Sequence, residues 1–363
     1  MEMTFQPILD QPNKRPIVIA GPCSAETEEQ VLQTARDLAK QNIDLFRSGI
    51  WKPRTRPGSF EGIGVPGLKW LKRVKEETGL KVTTEVAKTD HVFEALKHGI
   101  DVLWIGARTT VNPFSVQEVA DAIKGVDIPV LIKNPINPDL SLWIGAIERI
   151  YKAGITRIGV IHRGFAYHGE TKYRNVPFWQ FPIELKRRFP DLTIICDNSH
   201  ICGRRDILFD VAQKAFDLDF DGIMTEVHPD PDKAWSDAAQ QITPDQFKEL
   251  FGRLVRRNPT TDNIEFLETL EHLRNEIDEI DDEILSLLGK RMELADSIGR
   301  YKKRNNIAIL QPSRWNEILE RGIAKGAIKG LSEEFMEIYL KAIHQESINH
   351  QEAVMSSKEE GAI

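Results

Sequence analysis

Short apolar runs and longer amphipathic stretches alternate along the first 256 residues. Runs rich in β-branched residues fall at about Pro16–Pro22, Ile43–Gly49, Lys81–Val86, Asp101–Ala107, Pro129–Asn134, Arg157–Arg163, Thr193–Ser199 and Asp221–Val227. A stretch of helical periodicity follows each one, for example Glu26–Gln41, Gly67–Thr78 and Leu140–Ala153. The runs are apolar at consecutive positions, as in Ile17-Val18-Ile19-Ala20 and Val130-Leu131-Ile132, the pattern of parallel strands covered on both faces. Eight βα units in about 240 residues predict an α/β fold, either a closed (β/α)8 TIM barrel or a doubly wound open sheet.

After Arg256 the pattern changes. The segment 257–263, Arg-Asn-Pro-Thr-Thr-Asp-Asn, is polar and proline-interrupted, a linker whose Thr, Asp and Asn residues can also cap a helix starting near Ile264. From Ile264 to about Arg304 there is no proline, and Leu267, Leu270, Leu273, Ile277, Ile280, Ile284, Leu287, Leu294 and Ile298 recur at helical spacing. That is a helix of about 60 Å, too long to bury its stripe within a small domain. It requires partner helices, including one from a second chain, so a homodimer through this unit is expected, with a higher oligomer left open. Helices at about Ser313–Lys325 and Ser332–Val354 complete an all-helical unit. The expected organisation is a barrel over 1–256, a linker over 257–263, a helical domain over 264–355 and a disordered tail over 356–363.

Hydrophobic content of 41% and charged content of 28% are those of a globular chain. No apolar run approaches the roughly 18 residues of a membrane helix, and Met1-Glu2-Met3-Thr4 does not begin a basic-then-apolar signal segment. Three cysteines, Cys23, Cys196 and Cys202, cannot build a disulfide framework and point to a reducing, cytoplasmic setting. A net charge of −7 argues against nucleic acid as a partner.

Polar residues gather where the runs finish: Cys23-Ser24, then Arg47 with Lys52-Pro53-Arg54-Thr55, Glu85, Arg108, Lys133-Asn134, His162-Arg163, Asp197-Asn198-Ser199-His200 and Glu226-Val227-His228, with Asp237 beyond. An open sheet uses two or three strand ends at one switch point, whereas a barrel gathers all eight on one rim, so the barrel is favoured. Cys23, His200, Glu226 and Asp237 offer a sulfur, an imidazole and two carboxylates, a set suited to Mn, Fe, Co or Zn rather than Mg. Taken singly, Cys23 also fits a small buried residue, as Cys196 does, and His228 fits either a supporting group or a loop histidine. Arg47, Lys52, Arg54, Arg108, Lys133 and Arg163 put six cations on one rim. Any one could serve a surface salt bridge, but six together would repel one another unless anions such as phosphate and carboxylate neutralise them. The segment 62–67, Gly-Ile-Gly-Val-Pro-Gly, imitates a dinucleotide fingerprint but follows a long loop rather than a strand, and no Gly-x-x-x-x-Gly-Lys-Ser/Thr loop is present.

In this order, Gly-Pro-Cys-Ser, Lys-Pro-Arg-Thr, Ile-Gly-Ala-Arg, Ile-His-Arg-Gly, Asp-x-Ser-His and Glu-Val-His-Pro resemble 3-deoxy-D-arabino-heptulosonate 7-phosphate (DAHP) synthase. The likeness is to its short-barrel subfamily, related to 3-deoxy-octulosonate 8-phosphate synthase, and covers about residues 15–255. It implies metal-dependent condensation of phosphoenolpyruvate with erythrose 4-phosphate at the entry to aromatic amino-acid synthesis. By the same resemblance Cys23, His200, Glu226 and Asp237 are metal ligands, with Mn the first choice. Lys52, Arg108, Lys133 and Arg163, with Arg47, hold phosphoenolpyruvate, while Arg54 and Thr55 hold the erythrose 4-phosphate phosphate. The octulosonate enzymes resemble Lys-Ala-Asn-Arg where this chain has Lys-Pro-Arg-Thr. Asn198 stands where many relatives have proline. Lys52, or Glu85 with water, is the candidate for moving protons.

The helical unit resembles the all-helical class of chorismate mutase over about residues 265–352, with Arg274, Arg291, Lys302, Arg314, Ser347 and Gln351 at matching positions. Arg291 and Lys302, eleven residues apart, share a helix face at 100° per residue, whereas Arg274 points about 100° away and suits a neighbouring site. Ser347 and Gln351 are one helical turn apart. The chorismate-to-prephenate rearrangement requires cations for two carboxylates, here Arg274, Arg291 and Arg314, and donors for the ether oxygen, here Lys302 and Gln351. Trp315 stands where the family commonly has glutamate, and Gln311 where some members have aspartate. The leading expectation is a bifunctional enzyme whose domains communicate allosterically. The alternatives are a non-catalytic helical module for dimerisation and feedback sensing, and a barrel acting as a Schiff-base aldolase through Lys133.

Overall fold

The computed structural model describes residues 3–9, 16–52, 58, 60–258 and 260–357. The chain divides into two compact units, Met1–Pro259 and Thr260–Ile363.

The first unit is a closed eight-stranded parallel barrel with its strands in sequence order. They are β1 (Ile17–Gly21), β2 (Leu45–Arg47), β3 (Lys81–Val86), β4 (Val102–Ile105), β5 (Val130–Lys133), β6 (Ile158–His162), β7 (Thr193–Asp197) and β8 (Gly222–Glu226). Closure is the β1–β8 pairing, with Ala20 opposite Thr225 and Gly21 opposite Glu226. The barrel expectation holds. A closed cylinder has no switch point, so the glycines at 62–67 serve geometry instead: Gly62 has φ +101°, and a Cβ there would lie 2.2 Å from the Ile50 carbonyl oxygen.

Alternation along the strands sorts the core into two layers. Ile19, Leu45, Val102, Trp104, Leu131, Ile161, Ile195 and Met224 point inward and, with Ile8, form the barrel interior. Their neighbours, such as Ala20, Phe46, Leu103, Val130, Ile132, Val160, Ile194 and Ile223, pack outward against the helices. Those helices carry local start signals: Thr27 accepts from the Gln30 N–H at the head of Glu28–Ala39, and Thr243 and Gln246 form a reciprocal capping box. Strand seven is shorter than its apolar pattern suggests. Asp197, paired with Met224, is the last residue of the ladder and also caps the short helix Asn198–Cys202, its side chain accepting from the His200 N–H at 3.1 Å, so Ser199 and His200 are helical.

Among the described residues the second unit is three helices: Ile264–Arg304, Pro312–Ile328 and Glu333–Ser356. The first runs unbroken for 41 residues from an Asn263 cap. Its C-terminal half packs on the third helix, where the His350 ring lies 3.0 Å from Asp296. Its N-terminal half leaves its stripe in solvent, with Leu273, Ile277 and Ile280 more than half exposed. Among the described residues no helix is long and apolar enough to cross a membrane. Of the expected tail, Ser356 closes the last helix and residues 358–363 lie outside the described residues.

Candidate active sites

The strand alternation also decides which polar residues reach the barrel mouth. Two residues beyond Leu45, Leu131, Ile161, Ile195 and Met224 come Arg47, Lys133, Arg163, Asp197 and Glu226, all on the inward register. His162 has the opposite register and is fully buried outside the sheet, among Trp143, Phe165, Trp179 and Phe220. Burial there pushes its pKa down to about 3.

At the mouth, ligand atoms of Cys23, Glu226 and Asp237 lie within 4.8 Å of one another. The Cys23 Sγ is 3.2 Å from Asp237 Oδ2 and accepts from Lys52 Nζ at 2.7 Å. His200 adjoins the group, its Nε2 3.7 Å from Glu226 Oε1 and its Nδ1 2.8 Å from Asp197 Oδ2. Glu226 Oε2 accepts from Gln240 Nε2 at 2.6 Å. Glu226 Oε1 is buried, 3.1 Å from Arg47 Nη2, yet receives no aligned hydrogen bond among the described residues. A buried carboxylate oxygen with spare acceptor capacity, beside a thiol, an imidazole and a second carboxylate, fits a divalent transition metal.

The charges are interlocked. Burial, then Glu226, pushes the Cys23 thiol up to about 12. Burial would also raise Glu226, but His200, Arg47 and Lys52 outweigh it and hold that carboxyl below its ordinary value. Asp237 is likewise held low, burial being overcome by Lys52, Arg174 and His200. Burial works against the Lys52 ammonium, but Cys23 and Glu226 overcome it and raise its pKa. Arg47 is 1% exposed, paired with Glu226 and set over the Trp104 ring at 5.0 Å. Buried pairs of this kind seldom add net stability, which argues that the mouth is shaped by what it binds.

Among the remaining expected cations, Arg163 is buried, donates to Asn175 Oδ1 at 2.7 Å and has its pKa pulled down by burial to about 10. Lys133 pairs with Asp197 at 2.8 Å. Arg108 is exposed at the start of the short helix Ala107–Thr110, following β4. Arg54 and Thr55 lie outside the described residues. Glu85 accepts from Trp104 Nε1 at 3.0 Å. His228 is buried 3.3 Å from Glu26. Asn198 accepts from Thr225 Oγ1 at 2.9 Å and donates to the Leu208 carbonyl at 3.3 Å. Four residues at the mouth carry no signal in the sequence pattern: Arg174, which pairs with Asp237 at 3.0 Å, Trp104, Gln240 and Gln241. Arg174 sits mid-loop, away from any strand end, and Trp104 reads as one more apolar strand residue.

In the helical unit, Arg291 and Arg314 line a cleft of about 450 Å³ with Ile284, Leu287, Tyr339 and Ile343. Arg291 Nη1 donates to Ser347 Oγ, and Gln351 Nε2 donates to the Ser347 carbonyl at 3.2 Å. Gln351 Oε1 is buried without a partner among the described residues. Lys302 donates to the Ile309 carbonyl, and burial lowers its pKa as it lowers that of Arg291. Arg314 pairs with Glu317, and Trp315 stacks on His344 at 4.0 Å. Arg274 is exposed and does not line this cleft.

Comparison with known proteins covers both units. Residues 3–257 match the DAHP synthetase I family, and residues 273–352 match chorismate mutase type II. A phospho-2-dehydro-3-deoxyheptonate aldolase of Thermotoga maritima is 33% identical over 233 residues, spanning 64% of this chain and 67% of the relative. A 2-dehydro-3-deoxyphosphooctonate aldolase of Legionella pneumophila is 29% identical over 270 residues, spanning 69% of this chain and 93% of the relative. The solved DAHP synthase of Thermotoga maritima superposes with a TM-score of 0.60 at 32% identity, covering 66% of this chain and 68% of that one.

Proposed function

The chain belongs to the DAHP synthetase I family and carries a chorismate mutase type II domain, which makes it a bifunctional enzyme of aromatic biosynthesis, and from this we propose two specific reactions. The barrel condenses phosphoenolpyruvate with erythrose 4-phosphate to DAHP and phosphate; the helical unit rearranges chorismate to prephenate.

The convergence of Cys23, Glu226 and Asp237 within 4.8 Å, beside His200 and inside a ring of cations, carries the first reading. These four residues would hold a divalent ion, Mn first, with Fe, Co or Zn compatible with the same donors. Such an ion, when bound, supplies Lewis-acid polarisation of the aldehyde oxygen. Arg108, Lys133 and Arg163 bind the phosphate and carboxylate of phosphoenolpyruvate, with Arg47 holding Glu226 in place beside them. Arg54 and Thr55 take the phosphate of the sugar. Held so, C3 of phosphoenolpyruvate attacks the aldehyde carbon, water adds at C2 and phosphate leaves; fixing both anions in register is worth several kcal/mol. Lys52, kept cationic by Cys23 and Glu226, can deliver a proton to the aldehyde oxygen as it gains charge. Free, buried cysteines support a cytoplasmic setting.

For the mutase, Arg291 and Arg314 in one cleft supply cations for the substrate carboxylates, and Lys302 and Gln351, which are not among that cleft's lining, are assigned as donors for the ether oxygen. Ser347 orients Arg291. Arg274 is assigned to the neighbouring site of a homodimer, which the bare stripe of the long helix supports. Prephenate made by one unit then feeds back on the other. The test is turnover of phosphoenolpyruvate by the full chain with erythrose 4-phosphate against arabinose 5-phosphate, and of chorismate by the same preparation. Preference for arabinose 5-phosphate would overturn the first assignment. No chorismate turnover at saturation would leave the helical unit as a sensor.

A further inference from the structure

We infer that Gln241 is a positioning residue that holds Cys23 and the Asp237 loop in mutual register with a single buried amide. The inference rests on reading Cys23 and Asp237 as metal ligands. Gln241 is 0% exposed. Its Oε1 accepts from the Cys23 backbone N–H at 3.0 Å, and its Nε2 donates to the Ser236 carbonyl at 2.8 Å. A donor on one side and an acceptor on the other allow one orientation of the amide. The loop after β1 and the loop after β8, 218 residues apart in sequence, are thus joined through one side chain.

The joint lies next to a backbone that needs support. Asp237 has φ +50°, the left-handed region that is uncommon for a residue with a side chain, and such conformations persist where the surroundings over-determine them. Among the described residues, three side-chain contacts fix the residues on either side of it. Gln241 holds the Ser236 carbonyl, the Ser236 and Ser24 hydroxyls meet at 2.5 Å, and Arg205 Nη2 donates to the Ala238 carbonyl at 2.9 Å. Of these, Gln241 alone also grips the Cys23 backbone. Rotation of the Ser236–Asp237 peptide would swing the Asp237 carboxylate away from the thiol, and the Gln241 amide blocks that rotation. Groups that orient ligands in this way typically contribute about 10- to 100-fold to metal affinity.

The test uses the metal-free full-length protein titrated with cobalt(II), following the sulfur-to-cobalt absorption band. A band in the unsubstituted protein supports the ligand reading; none would sink that reading itself. Gln241→Met, of similar volume but unable to make either contact, is expected to weaken cobalt binding about 10-fold or more and to alter the band. Chorismate turnover, in the other unit, stays unchanged. Gln241→Asn keeps the amide one methylene too short to span both partners, and is expected to weaken binding in the same direction. Cobalt affinity within twofold of the unsubstituted protein and an unaltered band in Gln241→Met would overturn the inference while leaving the ligand reading intact. Should Gln241→Met not fold, the same result in Gln241→Asn decides it.

Discussion

The Lys133 ammonium nitrogen lies 2.8 Å from Asp197 Oδ2, with both side chains buried inside the barrel mouth. The same Asp197 oxygen lies 2.8 Å from His200 Nδ1, so one carboxylate sits against both a rim cation and an imidazole beside Glu226. The contact uses Lys133 as a charge, which suits anion binding rather than Schiff-base chemistry. A chelator is therefore expected to abolish barrel turnover and Mn to restore it, with chorismate turnover untouched. Borohydride in the presence of the aldehyde should trap nothing; a reduced adduct on Lys133 by mass spectrometry would establish the aldolase alternative. Lys133→Met should also destabilise the barrel by about 3 kcal/mol, the order expected when one member of a buried pair is removed.

Gly106 allows Glu85 to reach Trp104. A Cβ at Gly106 would lie 2.1 Å from Glu85 Oε1, and Glu85 Oε2 accepts from Trp104 Nε1. Gly106→Ala must displace that carboxylate, at a stability cost of about 1–3 kcal/mol. Barrel turnover is expected to fall at least tenfold, because the Trp104 ring beneath Arg47 shifts with it. Wild-type turnover in Gly106→Ala would show that this contact is irrelevant to the mouth.

Ile277 and Ile280 are each 56% exposed on the long helix. If a second copy covers them, Ile277→Lys with Ile280→Lys should convert the dimer to monomer in sedimentation. Chorismate kcat/KM should fall by about 100-fold, the scale of one lost charge contact in the transition state, since Arg274 would no longer reach a neighbouring cleft. Arg274→Ala alone should show the same kinetic loss while remaining dimeric. Undiminished chorismate turnover by a monomer would refute the shared site.

His162 predicts a pH dependence of stability. Its pKa is about 3 in the folded barrel and about 6.5 in an unfolded chain. Between those values the unfolded chain takes up a proton that the folded barrel refuses, so stability falls as pH falls through this window and is unaffected by His162 above it. At pH 5 the loss is about 2 kcal/mol relative to pH 7.5. His162→Phe should remove that part of the slope, measured by urea unfolding followed through the fluorescence of neighbouring Trp143 and Trp179. An unchanged slope would mean that the ring is solvated after all.

Much of the barrel could be read from short-range pattern. The run Lys81–Val86 is rich in β-branched residues, and it forms a strand over the same residues. The long helix is legible for the same reason, since nothing between Asn263 and Arg304 breaks a 3.6-residue repeat. The mouth is legible at Cys23, His200 and Glu226 because polar residues at strand ends stand out against apolar runs, whereas Asp237 lies in the loop beyond β8. Strand-end position could not separate His162 from Arg163, adjacent residues that face opposite sides of the sheet. It also passed over Arg174, which comes from the middle of a loop.

By itself, the sequence determined which segments become strands and helices and that one rim collects the chemistry, because both follow from repeats spanning only a few residues. Tertiary structure decided which groups meet. Cys23 and Asp237 are 214 residues apart, and only closure of β8 onto β1 brings them to 3.2 Å. Whether a cation such as Arg47 serves a ligand or a neighbouring carboxylate depends on distances of that kind, which no local periodicity encodes.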